Sequence, residues 1–196
     1  MAVIVLTGMP ATGKSTVCRA LTKEFGFPVV EKDAIKEKMF DTVGFKCYAE
    51  KRALDHAANA VVIHVVEEIL KTGGSVIVDN NFDTESGKRF SEVLEKYAPK
   101  CACVFLKGDL DVLHERYTVR DNAHARHLGH VLQEHYPPRE GDSLYYTMTR
   151  DEFYEKFMKR GMDSFVCPGG RIEIDTTDFS KVDTDAIVAS VKKMLL

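Results

Sequence analysis

The chain has 196 residues, of which 44% are hydrophobic and 29% are charged, and its formal net charge is −3. This length and composition are typical of one globular domain, and the slightly acidic balance excludes a broad positive field of the kind that binds nucleic acid. No apolar run reaches the roughly 18 residues of a membrane span, and no basic leader precedes the first apolar run. The five cysteines form no C-x-x-C pair, which is typical of buried, reduced thiols. We therefore expect one cytoplasmic domain over residues 1–196.

Strands and helices alternate along the chain. A continuous apolar run over 2–7 predicts a strand buried on both faces, and Val17, Leu21 and Phe25 share one face of a helix that Gly26 can end. We expect further strands at 28–32, 75–79, 101–106 and 171–175, and further helices at 34–40, 50–71, 84–97, 109–121, 143–160 and 183–196. This order predicts a three-layer α/β/α fold around a five-stranded parallel sheet. The long irregular stretch 122–142, together with the helix before it, predicts a lid over about 116–142.

Residues 8–16 read GMPATGKST, the Walker A or P-loop spacing of two glycines, a lysine and a hydroxyl. Glycine suits a backbone that turns tightly and that phosphate approaches closely. In such a loop the backbone N–H groups surround the phosphates, the lysine reaches the outer phosphates, and the serine binds Mg²⁺. This motif predicts catalysis by Lys14, metal binding by Ser15, and nucleotide binding by Gly8, Pro10, Ala11, Thr12, Gly13, Lys14, Ser15 and Thr16.

Carboxylates follow two of the predicted strands. Asp79 ends the apolar run SVIVD, which is the form of a Walker B carboxylate, so we expect it to hold Mg²⁺ beside Ser15. Asp33 follows the second strand, where open α/β sheets bind their ligands, and its carboxylate can accept a proton from an acceptor hydroxyl while capping the next helix. Asn81, two residues beyond Asp79, is a weaker candidate for orienting substrate or metal-bound water.

Arg116 and Arg120 lie four residues apart and so share a helix face, and Arg126 follows them. Lid arginines can neutralise charge shared between a phosphate donor and its acceptor, so Arg116 and Arg120 are predicted catalytic residues; an ordinary solvated helix face is the alternative. The three-residue spacing of His124, His127 and His130 allows a metal site, but phosphate contacts or polar loop chemistry are favoured. An acceptor could also be bound by the polar cluster Lys36, Lys38, Lys46, Tyr48 and Arg52.

The ordered set GMPATGKST, EKDAIK, VIVDNNF, LHERYTVR and EIDTT resembles the small P-loop kinases of the zeta-toxin, chloramphenicol-phosphotransferase and polynucleotide-kinase type, often labelled AAA-family ATPases. The resemblance spans nearly the whole chain. It implies that Asp33 activates the acceptor, that Arg116 and Arg120 are lid arginines, and that Thr176 lies beside the adenine ring. Lys36 stands where many relatives carry an arginine.

These observations predict an ATP- and Mg²⁺-dependent kinase that phosphorylates a hydroxyl of a small molecule. A polynucleotide 5′-hydroxyl kinase is a rival that the acidic charge disfavours, and a toxin-like or regulatory nucleotide-binding module is another. No membrane contact is expected. The acceptor and the oligomeric state are left open by the sequence.

Overall fold

The protein is described by a computed structural model that covers residues 1–123, 126–145 and 148–196. Its strands form one parallel sheet in the order β2-β3-β1-β4-β5. The strands are β1 Ala2–Gly8, β2 Val29–Glu31, β3 Val76–Asp79, β4 Lys100–Lys107 and β5 Arg171–Asp175. The predicted five-stranded parallel α/β fold is confirmed.

The helices connect successive strands or follow the last one, as crossover connections between parallel strands require. They are α1 Lys14–Phe25, α2 Lys32–Val43, α3 Tyr48–Lys71, α4 Thr84–Tyr97, α5 Leu110–Asn122, α6 Leu128–Val131, α7 Arg150–Met158 and α8 Thr184–Met194. None of them, within the part of the chain that the structure describes, is long and apolar enough to cross a membrane.

The core has two halves because successive residues of a strand face opposite sides of the sheet. Val3 and Val5 of β1 pack with α3 and α4, whereas Ile4 and Leu6 pack with α1 and α8. All four are fully buried. Helices therefore cover both faces of the sheet. The side open to ligands is the one where the C-terminal ends of the strands lie.

Two predicted helix starts are wrong. The helix expected from residue 143 begins only at Arg150, because Thr149 and Glu152 form a reciprocal capping box. Asp33 does not cap α2, since the helix begins at Lys32 and places Asp33 in its first turn. Its carboxylate still stabilises the helix, because it lies near the partial positive charge of the helix N-terminus.

Residues 126–136 pack on α2 and α3. Leu132 lies in a cluster with Phe40 and Phe45, and Leu128 and Tyr136 pack against it. The backbone of Tyr136 also pairs with that of Phe45 in a short antiparallel bridge. The middle of the segment predicted as a lid is thus attached to the α2–α3 pair.

The cysteines are free thiols, but not all of them are buried as expected. Cys101 and Cys103 lie on β4 in the core and Cys167 is equally buried, whereas Cys18 is partly exposed and Cys47 is exposed. Cys47 precedes α3 at the surface, where the sequence offers no apolar pattern to bury it.

Candidate active site

The turn between β1 and α1 requires glycine for reasons internal to the protein. Gly8 has a φ of 139° and Gly13 a φ of 80°, both in the range that favours glycine. A Cβ on Gly8 would lie 2.1 Å from the Leu106 carbonyl oxygen, and one on Gly13 would lie 2.2 Å from the Phe179 ring. Between them Ala11 also has a positive φ of 61°. Packing against β4 and Phe179 therefore suffices to explain both glycines, without the close phosphate that the sequence suggested.

Lys14 curls back over this loop. Its ammonium donates to the carbonyl oxygens of Gly8 and Met9, at 3.2 and 3.1 Å. Burial lowers the pKa of Lys14, while the carboxylates of Asp79 and Asp33 act in the opposite direction. The lysine is thus held at the loop with two carboxylates within electrostatic reach, which is where the outer phosphates of a nucleotide would need it.

Ser15 and Asp79 line one cavity with the loop. Burial raises the pKa of Asp79 to about 6, and Lys14 opposes the shift, so this carboxylate would gain from a nearby cation. Its oxygens and the serine hydroxyl are the hard ligands that Mg²⁺ prefers, with waters and phosphates completing the shell. The two residues therefore fit Mg²⁺, and no group of three or more metal-binding side chains occurs among the described residues.

The two asparagines after Asp79 both line the cavity, and a role of Asn81 in orienting substrate or metal-bound water stays a prediction. Asn81 supports the loop, because its side-chain oxygen accepts the N–H of Gly8 at 3.0 Å. Asn80 lines the cavity, and its amide nitrogen donates to Asn59 at 2.9 Å. Its buried side-chain oxygen has no hydrogen-bond partner among the described residues. A buried acceptor of this kind needs a donor, so Asn80 is a candidate ligand residue that the sequence analysis missed.

Asp33 faces the same cavity from the first turn of α2. Its side chain is 46% exposed, and its oxygens lie 3.5 Å from nitrogens of Lys36 and Arg126. Burial would raise the pKa of Asp33, but Lys36, with His130 and Arg126, outweighs it and holds the pKa well below the usual range. Asp33 is therefore an ionised carboxylate at neutral pH.

Arg116 holds the loop that follows β5. Its two terminal nitrogens donate to the carbonyl oxygens of Thr176 and Thr177, each at 2.7 Å. Thr176 is fully buried, its hydroxyl donates to the Lys107 carbonyl oxygen, and it does not line the cavity. The Thr176 side chain thus faces Lys107, and the position of this loop beside the adenine ring stays a prediction. Arg116 also lines the cavity. Both of its terminal nitrogens are already engaged in holding the loop at Thr176 and Thr177.

Arg120 and Arg126 flank the buried ring of Tyr117, with their guanidinium carbons 5.0 and 5.8 Å from its centre. Both lie near Asp121, at 3.2 and 3.6 Å. Burial and the charge of Arg126 lower the pKa of Arg120. Both arginines act electrostatically on Lys14. Two cations are thus brought to the phosphate end of the cavity, although the sequence favoured Arg116 over Arg126.

A buried ion-pair network centres on Asp55, which is 7% exposed. One of its oxygens lies 2.7 Å from Lys32 and 3.0 Å from Lys36, and the other lies 3.4 Å from Arg52 and 3.3 Å from Arg160. Burial would raise the pKa of Asp55, but Lys32 and Lys36 hold it well below the usual range. The network joins α2, α3 and the residues after α7. Nothing in the local sequence around Asp55 indicated it.

The histidines of the predicted lid pair with α2 where the structure describes them. His127 lies 2.9 Å from Asp41 and His130 lies 3.0 Å from Glu37. Burial lowers the pKa of His130 to about 4. His124 lies outside the described residues. These pairs are polar contacts within the protein, one of the two uses that the sequence favoured, and phosphate contacts by these histidines stay a prediction.

One cavity of about 450 Å³ is lined by Lys14, Ser15, Asp33, Asp79 and Asn80, together with Arg116, Arg120 and Arg126. Among the described residues its lining includes ten basic side chains: Lys14, Lys32, Lys36, Lys51, Arg52, Arg116, Arg120, Arg126, Lys156 and Arg160. It includes four acidic ones: Glu31, Asp33, Asp55 and Asp79. The cavity is thus strongly positive within a chain of net charge −3. Of the predicted nucleotide-binding residues, 10–15 line it, whereas Gly8 and Thr16 do not.

The sequence profile of the AAA domain family matches residues 3–138. A shikimate kinase from Rhizobium leguminosarum bv. trifolii is 31% identical over 123 residues, which are 61% of this chain and 58% of the relative. A cytidylate kinase from Pyrobaculum islandicum is 26% identical over 127 residues, which are 62% of this chain and 61% of the relative. The match therefore spans about three fifths of the length of these curated relatives.

Among solved structures, a candidate kinase from Chloroflexus aurantiacus J-10-fl superposes with a TM-score of 0.81 at 28% identity, covering 100% of this chain and 98% of that one. A gluconokinase from Sinorhizobium meliloti 1021 shares the fold alone, with a TM-score of 0.53 at 18% identity over 99% and 91% of the two chains. P-loop kinases use ATP with Mg²⁺, and the loop, Ser15 and Asp79 fit this pair. With a profile match over more than half of its length and a P-loop at the end of its central strand, the chain belongs to the AAA domain family and has a P-loop kinase fold.

Proposed function

We propose that the protein is an ATP- and Mg²⁺-dependent kinase that transfers the γ-phosphoryl group to a hydroxyl of a small molecule. The observation that carries this proposal is the position of Asp33. This ionised carboxylate lies half exposed in the cavity that also contains Lys14, Ser15 and Asp79. A carboxylate at this place can orient an acceptor hydroxyl and accept its proton.

The residues divide between positioning and charge compensation, as phosphoryl transfer requires. The acceptor oxygen bonds to the γ-phosphorus, the bond from that phosphorus to the β–γ bridging oxygen breaks, ADP leaves, and the hydroxyl proton passes to Asp33. Lys14 and Arg120, with Arg126, compensate the charge on the transferring group. Ser15 and Asp79 would hold Mg²⁺, which neutralises charge on the phosphates when it is bound.

A second candidate is a kinase whose acceptor is itself a phosphate group, as for the cytidylate kinase relative. The surplus of cations in the cavity favours this candidate. Asp33 disfavours it, because an ionised carboxylate beside the transferring group would repel an attacking phosphate. The narrower resemblance to zeta-toxin and polynucleotide-kinase enzymes also stays a proposal.

The test is a screen for ATP-dependent gain of one phosphate. Panels of neutral alcohols, hydroxy acids, sugar phosphates, nucleoside monophosphates and a 5′-hydroxyl oligonucleotide are incubated with Mg·ATP, and products are identified by mass and ³¹P NMR. We expect a phosphomonoester of a small molecule. A phosphoanhydride product would establish the phosphate acceptor instead, and a salt-sensitive oligonucleotide product would establish the polynucleotide kinase. ATP binding without transfer to any panel member would refute the kinase proposal in favour of a binding module.

A further inference from the structure

A second cleft adjoins the cavity on the side of α3 and α7. This neighbouring cleft has a volume of about 790 Å³. The residues common to both linings are Tyr48, Arg52, Gln133, Lys156 and Arg160. No P-loop residue lines the second cleft within the described part of the chain. The two clefts therefore adjoin at an end of the cavity distinct from the P-loop.

Lys51 of α3 lines the cavity at this end. Its ammonium donates to the carbonyl oxygen of His130 at 3.0 Å and to that of Leu132, so two of its three N–H groups are fixed by residues at α6. Among the described residues no carboxylate lies within ion-pair distance of it. The ammonium also lies 5.6 Å from the centre of the Phe45 ring, so it is held in place by neutral partners and without a carboxylate counter-charge.

Most of the charged side chains that act on Lys51 are cations from neighbouring elements. Burial lowers the pKa of Lys51 to about 7, and Lys156 of α7, Lys36 of α2 and Arg126 before α6 add to the shift. The carboxylate that opposes the shift is Asp55 of α3. Asp55 is already shared by other cations of its network, so it leaves most of the local positive charge uncompensated.

Lys156 is a second lysine at this end of the cavity. Burial lowers the pKa of Lys156 to about 8, Arg126, Lys36 and Arg160 add to the shift, and Asp121 opposes it. The repulsion of Lys51 by the cations around it costs free energy in the ligand-free protein, and a bound anion reduces that cost. A neutral polyol would leave the cost in place.

Resting on the proposed function, we propose that the acceptor carries an anionic group, a phosphate or a carboxylate, in addition to its reactive hydroxyl. Lys51 and Lys156 bind this group at the α3–α7 end of the cavity, while Asp33 orients the hydroxyl at the phosphate end. The acceptor class is thus a hydroxylated phosphomonoester or hydroxy acid.

The first test measures anion binding without any transfer. The P-loop is filled with Mg²⁺ and a non-hydrolysable ATP analogue, and sulfate is then titrated by calorimetry into the wild type, Lys51→Met and Lys71→Met. Lys71 lies at the far end of the same helix, exposed and paired with Glu68, so it is a matched control for the loss of one positive charge. Losing a charged donor should weaken sulfate binding about 10-fold to 100-fold in Lys51→Met, and Lys71→Met should bind as the wild type does.

The second arm uses pH. Sulfate keeps its charge between about pH 6 and about pH 9, so a change in its affinity over this range reflects the protonation of groups on the protein. Because the lysines must be protonated to bind, affinity should fall as the pH rises through the pKa values of Lys51 and Lys156, about 7 and about 8 before the anion raises them. Inorganic phosphate and acetate, titrated in the same way, distinguish the two kinds of anionic group.

Equal sulfate affinity in Lys51→Met and the wild type, or no saturable sulfate binding to the nucleotide-filled protein, would overturn the inference. If Lys51→Met does not show a cooperative melting transition, Lys156→Met provides the same test. The outcomes distinguish a failure of this inference from a failure of the proposed function. Transfer to neutral alcohols alone would refute this inference and keep the kinase, whereas anion binding without transfer to any acceptor would keep the subsite and refute the kinase.

Discussion

Replacing Asp33 by Asn tests the centre of the proposed chemistry. The substitution keeps the size of the side chain and removes the ionised oxygen that would accept the proton. General-base catalysis contributes about 10²-fold to 10⁴-fold in rate, or about 3 to 5 kcal/mol of barrier. Lys36, His130 and Arg126 hold the pKa of Asp33 well below its usual range, which makes it a weak base. We therefore expect a loss near the lower limit, about 10²-fold in kcat.

The structure also limits what the same change does to folding. Asp33 lies in the first turn of α2, where its negative charge stabilises the helix. Its side chain is half exposed, and its oxygens lie 3.5 Å from nitrogens of Lys36 and Arg126. A first-turn carboxylate contributes about 0.3 to 1 kcal/mol, and exposed ion pairs contribute about 0 to 1 kcal/mol each. Asp33→Asn should therefore lower the free energy of unfolding by about 1 to 2 kcal/mol and leave the protein folded. ATP affinity should stay near that of the wild type.

The assay compares kcat, KM for ATP and urea unfolding of Asp33→Asn with those of Asp185→Asn, using an acceptor found by the screen. Asp185 occupies the same first-turn position of α8 and is exposed outside the cavity, so it controls for the helix contribution. A wild-type kcat in Asp33→Asn would refute the assignment of the base. Asp79 would then be the next candidate, because Asp83 caps α4 and pairs with Arg160.

Three further substitutions test other parts of the site. Lys14→Ala should abolish detectable Mg·ATP binding in calorimetry with little change in melting temperature, and wild-type affinity would contradict the role of the P-loop lysine. Arg116→Ala should raise KM for ATP more than it lowers kcat, because it frees the loop at Thr176 and Thr177; a loss confined to kcat would instead support direct charge compensation. Asp55→Asn should cost about 3 to 5 kcal/mol in urea unfolding, because it leaves several buried cations unpaired. Since the pKa of Asp55 lies well below its usual range, this contribution is complete above about pH 4, and the deficit of the variant should shrink only in stronger acid.

The fold and the nucleotide end of the site could be predicted because their signals are local. Apolar runs specify the strands of a sheet buried on both faces, and Gly26 at the end of α1 and Asp109 at the start of α5 fix helix ends through neighbouring backbone groups. The P-loop spacing is specific because the chain itself must turn there. Once the sheet is parallel, the strand ends place Asp79 and Asp33 at one edge.

The start of α7 was missed although its signal, the T-x-x-E spacing of Thr149 and Glu152, is also local. The polar sequence from Ser143 onward is compatible with a helix, and the capping box of Thr149 and Glu152 decides between competing starts. The wrong prediction that Asp33 caps α2 has a similar cause, because Asp suits both the cap and the first turn. Such choices depend on fractions of a kcal/mol in the backbone near each end.

The sequence by itself determined a parallel α/β sheet, a phosphate-binding turn and the carboxylates at the strand ends, since each depends on residues close together in the chain. Only the tertiary structure decided the acceptor end. Lys51 is fixed by carbonyl oxygens about 80 residues away, and Arg160 meets Asp55 across 105 positions. A lysine on a polar helix face looks the same in sequence whether solvent or a cavity covers it. Burial and the neighbouring charges, which the folded chain alone supplies, turn these ordinary surface-type residues into a candidate anion site.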